Sequence, residues 1–180
     1  AEQALRQFQG FNYGETVTVA DGIQLSFSDA GHLLGSASLR FTLTEEGETR
    51  SVLFSGDLGN HTRPLIRDPQ APPEADFVVI ESTYGDRSHG PRIDYVTQLA
   101  QVIQDTLDQG GNLVIPAFAV GRTQEMLYLI REIKERGLVR GHDGFPVYVD
   151  SPLAVEATRI YSDDKAMVPF YDEDSLELLN

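Results

Sequence analysis

The spacing of apolar residues changes part-way along the chain, and that change sets the fold class. Ile23, Leu25 and Phe27, and later Leu39, Phe41 and Leu43, alternate with polar neighbours, the period-two pattern of half-buried strands. Glu45-Glu46-Gly47-Glu48 supplies turn chemistry before Ser51-Val52-Leu53-Phe54, so a β-hairpin is predicted over residues 36–56. Beyond the prolines Pro69, Pro72 and Pro73 the alternation stops. Phe77-Val78-Val79-Ile80, Leu113-Val114-Ile115 and Val147-Tyr148-Val149 read as interior strands covered on both faces. After the first and second of these come helical repeats, Val96, Leu99, Ile103 and Leu107 up to Gly110-Gly111, then Met126, Leu129, Ile130 and Ile133 up to Gly137. A third helix opens at Asp150-Ser151-Pro152, with Ser151 as N-cap and Pro152 at its first position. Strand and helix in alternation predict parallel βαβ units. A short helix with a glycine stop is expected over residues 1–10, from Ala4, Leu5, Phe8 and Gly10. The chain is thus expected to be α/β, antiparallel and β-rich at first, with its seam at residues 84–91.

The 180 residues contain no cysteine, which removes disulfide scaffolds, thiolate nucleophiles and cysteine metal sites together. Any metal must be held by histidine and carboxylates. Lys and Arg number 14 against 28 Asp and Glu, for a net charge of -14, and the excess is shared: 6 basic and 13 acidic side chains in residues 1–90, 8 and 15 in residues 91–180. A protein that gripped nucleic acid mainly through phosphates would show a basic face, so this segment is not expected to be the main grip. The best apolar run, Leu113 to Val120, is interrupted by Pro116, and no membrane span is expected. The opening Ala1–Arg6 has no Met, basic stretch or apolar core, so no secretory signal is expected and a cytoplasmic location is.

Three strand ends carry the residues with most chemical promise. His32 lies between Gly31 and Gly35 after the second alternating set, Asp57 follows Phe54-Ser55-Gly56, and Glu81 follows Val79-Ile80. Imidazole and carboxylates converging on one sheet edge are what a hydrolytic metal site needs, with further carboxylates to orient the ligands. Taken singly, a loop histidine is a packing residue and a Gly-Asp pair a turn former. At Gly121-Arg122-Thr123-Gln124-Glu125 a strand hands over to a helix, so backbone N–H groups and Arg122 would meet a phosphate; alternatively, Arg122 pairs with a nearby carboxylate. His61 and His142 read as surface residues, His89 as part of a solvated loop, and Asp172-Glu173-Asp174 as a solvated helix start.

In this order, Gly31-His32-Leu33-Leu34-Gly35-Ser36-Ala37, Phe54-Ser55-Gly56-Asp57-Leu58-Gly59, Glu81-Ser82-Thr83-Tyr84-Gly85, Pro116-Ala117-Phe118-Ala119-Val120-Gly121-Arg122-Thr123-Gln124-Glu125 and Val149-Asp150-Ser151-Pro152-Leu153-Ala154 closely resemble the β-CASP branch of the metallo-β-lactamase superfamily, a branch that includes RNase J and the mRNA 3′-end processing endonuclease. The resemblance implies a partial αββα metallo-β-lactamase-like domain at 1–89, followed by the first part of an α/β β-CASP domain at 90–180 with parallel strands.

It also implies roles. His32 matches a zinc-ligating histidine, Asp57 the carboxylate that bridges two zinc ions, and Glu81 the acidic residue beside the metal centre; all three are taken as catalytic. Ser82, Thr83, Tyr84, Gly121 and Arg122 are taken as substrate contacts. The implied activity is zinc-dependent cleavage of phosphodiester bonds in single-stranded RNA, with homodimerisation as a further expectation. The rivals are a metallo-hydrolase of another substrate and a non-catalytic scaffold in an RNA-processing complex. The family's His-x-His-x-Asp-His motif is absent, and His61, His89 and His142 are isolated. The chain is accordingly expected to be an internal fragment, inactive alone and weak in binding zinc.

Overall fold

The computed structural model describes residues 2–88, 90, 93–163 and 165–171. Contacts divide the chain into two units, Ala1–Thr62 with Asp68–Gly85, and Arg63–Arg67 with Asp86–Asn180. Together they make a mixed α/β chain.

The first unit begins with a single helical turn, α1 (Glu2–Leu5), and is otherwise a five-stranded sheet: β1 (Thr16–Ala20), β2 (Ile23–Asp29), β3 (Ala37–Glu45), β4 (Glu48–Phe54) and β5 (Phe77–Val79), ordered as in sequence. The first four strands are antiparallel, and β5 runs parallel to β4. The β3–β4 hairpin closes with Glu45 opposite Glu48, through Glu46 at φ 50° and Gly47 at φ 83°. A two-residue loop with both φ values positive matches the right-handed twist of the strands it joins. Leu25, Phe41, Val52 and Phe77 form one row across the sheet and Phe27, Leu39, Phe54 and Val79 the next on the same face. The opposite face carries Ser38 and Leu53, both buried. Over it, Arg40 Nε donates to the Glu74 carbonyl at 2.9 Å, and the Ser51 N–H and hydroxyl reach Asp76 at 2.7 and 2.8 Å.

Two antiparallel steps separate β2 from β4, and β5 follows β4 in direction. The three therefore run the same way and end on one sheet edge. Beyond that edge leave the segments carrying His32, Asp57 and Glu81.

The second unit holds α2 (Tyr95–Asp108), α3 (Arg122–Glu135), α4 (Pro152–Asp163) and a 3₁₀ turn, Lys165–Phe170. Ala100 and Ile103 of α2 meet Ile130 and Ile133 of α3, with Val139 closing the cluster and Val96, Leu99, Leu107, Leu138 and Phe145 around it. Each buried aliphatic contributes about 1.5–3 kcal/mol of transfer free energy. The helix starts are capped from the sequence: Asp94 accepts from the Thr97 N–H at 3.0 Å and the Ser151 hydroxyl from the Ala154 N–H at 3.2 Å.

The structure corrects the expectation of interior parallel strands. Among the described residues 113–115 and 147–149 join no ladder, and Val114 and Tyr148 are 83% and 85% exposed. Their β-branched and aromatic composition favours extended chain, but a strand exists only where a neighbour takes up its N–H and C=O groups. Phe77–Val79 does form a strand, as the outermost one rather than an interior one, and Phe77, Val78, Val79 and Ile80 are all more than half exposed. The sequence reading passed over β1, and its opening helix is a single turn. His89 and Asp172-Glu173-Asp174 lie outside the described residues. No helix of the described residues is long and apolar enough to cross a membrane.

Candidate functional site

His32 sits in a loop that folds back on itself between β2 and β3. The Ser36 hydroxyl accepts the N–H groups of His32 and Leu33 at 3.0 and 3.1 Å, the Ser36 carbonyl accepts the Ala30 N–H at 3.1 Å, and the Ser36 N–H donates to Leu33 O at 3.0 Å. At the end of β2, the buried Asp29 accepts the Gly31 N–H at 2.8 Å. These bonds satisfy a turn that strand pairing has left behind.

The segment after β4 is tied to this loop by its backbone. The Gly59 N–H donates to the Ala30 carbonyl at 2.8 Å. A Cβ on Gly59 would lie 1.6 Å from the Gly31 carbonyl oxygen, so only glycine permits the approach. On its other side Gly31 meets Pro69, whose nitrogen would be 2.5 Å from a Cβ there.

Glu81 binds the same segment from β5. Its Oε1 accepts the Leu58 N–H at 2.6 Å and its Oε2 the Thr83 hydroxyl at 2.7 Å, while its own N–H donates to the Ser55 hydroxyl at 3.0 Å. The Leu58 N–H first, then the Thr83 hydroxyl, hold its carboxyl below the usual carboxylate range, and the charge of His32 adds a smaller pull. Glu81 is thus ionised with both oxygens engaged, and it braces the residue next to Asp57.

The structure therefore joins the His32, Asp57 and Glu81 loops through backbone donors one or two residues from the side chains of interest. Among the described residues neither the His32 imidazole nor the Asp57 carboxylate has a hydrogen-bond partner, and Asp57 is exposed. Of the expected substrate contacts nearby, Thr83 has its hydroxyl committed to Glu81, whereas Ser82 and Tyr84 are exposed.

Gly121 and Arg122 belong to the second unit. The N–H groups expected to meet a phosphate there are taken up internally: Gly121 donates to Gln124 Oε1 at 2.7 Å, Arg122 to Val120 O at 3.2 Å and Thr123 to Phe118 O at 3.3 Å. Arg122 pairs with Glu125 at 2.9 Å and shares it with Arg63 at 3.3 Å, so the nearby-carboxylate alternative is the one formed. His61 sits 3.3 Å from Asp68 and His142 2.8 Å from Asp108.

Sequence reasoning gave no role to Asp29, Ser36 or Tyr13, whose hydroxyl donates to the Ser36 carbonyl at 2.8 Å. A serine four residues after the histidine was the available sign, since serine readily bonds nearby backbone N–H groups.

As metal donors, an imidazole and a carboxylate suit a divalent cation in kind. They fall short in number, because catalytic zinc takes three protein ligands and no group of three histidine or carboxylate donors is poised around one point among the described residues.

The Beta-Casp domain model matches residues 123–175. Over 160 residues the chain is 41% identical to Ribonuclease TTHA0252 of Thermus thermophilus, which covers 89% of this chain and 35% of that protein. Residues 123–175 thus belong to a Beta-Casp domain. An RNase J-like protein of Methanocaldococcus jannaschii is 33% identical over 163 residues, 89% of this chain and 37% of its own. Transcription termination factor FttA of Methanosarcina mazei is 36% identical over 155 residues, 84% of this chain and 23% of its own. The chain thus spans between 23% and 37% of the length of these relatives.

Proposed function

We propose that this chain works as a segment of a zinc-dependent phosphodiesterase that cleaves RNA, its first unit being the metallo-β-lactamase-like part and its second the β-CASP part. The observation that carries the reading is the binding together of the His32, Asp57 and Glu81 loops on one sheet edge. Relatives that bear the names ribonuclease and RNase J-like protein support RNA as the substrate.

In this reading His32 and Asp57 hold zinc together with ligands from the rest of the protein. The metal supplies Lewis acidity toward a phosphoryl group and an acidified water. The chain's own residues do the placing. Glu81 is a positioning residue: its ionised carboxylate fixes the Leu58 N–H and with it the segment that presents Asp57. Gly59 lets that segment lie against the His32 loop. Arg122 is half exposed, which leaves its outer face for a phosphate while Glu125 holds the guanidinium in place.

The experiment is ribonuclease activity of the whole protein with and without a chelator, in the native form and as Asp57→Ala. Chelator-sensitive cleavage and a loss of at least about a thousand-fold in kcat for the variant are expected, on the scale of several kcal/mol of charge stabilisation. Metal-independent cleavage, or full activity of Asp57→Ala, contradicts the proposal. A role in transcription termination, carried out without cleavage, is the second reading; one relative is named a transcription termination factor. It predicts RNA binding without cleavage by the same protein.

A further inference from the structure

We infer that Tyr13 is a positioning residue for His32, acting through Ser36 as a clasp on the loop that carries the imidazole. The inference rests on the proposed role of His32. Tyr13 lies before β1, 23 residues from Ser36, and outside every motif quoted above. Its hydroxyl donates to the Ser36 carbonyl at 2.8 Å. That carbonyl also takes the Ala30 N–H at 3.1 Å, and the Ser36 hydroxyl takes the His32 and Leu33 N–H groups at 3.0 and 3.1 Å. Through one residue, then, the phenol holds both the entry to the loop and the backbone of the histidine itself.

The need for a clasp follows from the loop's composition. Gly31 and Gly35 both sit at positive φ, 60° and 81°, where glycine adds no stiffness of its own. A site whose ligand must stay within about 0.5 Å of its place takes that rigidity from packing and surrounding hydrogen bonds. Asp29 completes the anchor. It is buried, it accepts the Gly31 N–H, and its own backbone bonds Gln70 on both sides, at 3.2 Å through its N–H and 2.9 Å through its carbonyl. Burial first, and the neighbouring Asp29 carboxylate second, push the Tyr13 hydroxyl up to about 12. The phenol therefore keeps its proton, and remains a donor, at neutral pH.

The test uses Tyr13→Phe, which removes one hydroxyl and keeps the ring, beside Ser36→Ala and Ser36→Thr. In the whole protein, Tyr13→Phe is expected to lower amide-exchange protection of residues 30–36 at least about ten-fold and to shift or broaden the His32 ring ¹H–¹⁵N signals, leaving amides of α2 and α3 unchanged. Ser36→Ala should do the same and Ser36→Thr should restore the native pattern. In the whole protein, zinc affinity of Tyr13→Phe should fall about 10- to 100-fold, the usual effect of losing a partner behind a ligand, with kcat reduced and KM kept. Native protection and native His32 signals in Tyr13→Phe and Ser36→Ala overturn the inference. A His32→Ala whole protein with unchanged zinc affinity would instead overturn the metal role of His32, a result separable from the exchange data.

Discussion

The first unit saturates its backbone between strands and leaves an apolar face half open; the second saturates its backbone within helices and leaves whole segments unpaired. In the first, four successive residues of a row such as Phe27, Leu39, Phe54 and Val79 are fixed by ladder partners, although Phe54, Phe77 and Val79 remain 43%, 59% and 51% exposed. In the second, α2 and α3 bury one cluster between them, while residues 113–115 and 147–149 have strand composition without a ladder. The contrast teaches where precision comes from. A helix bonds itself and so needs only a stripe to bury; a strand needs a neighbour, and once it has neighbours in fixed register, the loops at its end are fixed as well. The candidate site lies on those loops.

The largest effect is expected where the second unit concentrates its burial. Ile133 is fully buried between α2 and α3, and Ile133→Ala should cost about 4 kcal/mol in urea unfolding. If exchange protection of β2–β4 survives under conditions that melt α2 and α3 in this variant, the units are stabilised separately; joint melting would break the comparison. Next in size is Gly59→Ala. Its new Cβ meets the Gly31 carbonyl, a backbone atom that no rotamer change can move away, so a loss of about 2–3 kcal/mol is expected, with chemical-shift changes at residues 30–32 and 57–59 and none on α3. A native stability would mean the two loops are not in register. Ser151→Ala removes only the N-cap of α4; about 1 kcal/mol and fraying confined to that helix are expected, measured by exchange at residues 154–156.

The smallest effect is on acidification. The folded Glu81 carboxyl titrates below its ordinary value of 4.5, so its contribution to stability is complete above that pH and is lost as pH falls through the lowered value. The Leu58 amide signal should hold its position down to about pH 4.5 and move only below it; movement centred above that pH would refute the carboxylate's bond to the Leu58 N–H.

Much of this was legible in the sequence. Alternation at Ile23–Phe27 and Leu39–Leu43 located β2 and β3, the Glu46-Gly47 turn located their hairpin partner, and Gly110, Gly137 and Ser151 bounded helices, because each of these signals is local. Thr16-Val17-Thr18-Val19 carries the same alternation and forms β1, a strand the sequence reading did not include. The edge position of Phe77–Val79 and the unpaired state of residues 113–115 depend on which neighbours a strand finds, which composition does not encode. For the site, the motif residues were readable and their mutual bonds were not. Glu81 to Leu58 and Tyr13 to Ser36 each span 23 residues, and at the start of α3 the Gly121 N–H is taken up by the Gln124 side chain turning back, the Arg122 and Thr123 N–H groups by the carbonyls of Val120 and Phe118.

Paramagnetic broadening by Mn²⁺, followed residue by residue in the ¹H–¹⁵N spectrum, reads directly whether those loops form one cation-facing group. Substoichiometric Mn²⁺ should broaden residues 30–33, 57–59 and 81–83 together, ahead of the other acidic surface of this chain of net charge -14, and Asp57→Ala should abolish the effect at all three. Broadening spread evenly over acidic side chains, or confined to one of the three loops, would contradict the account.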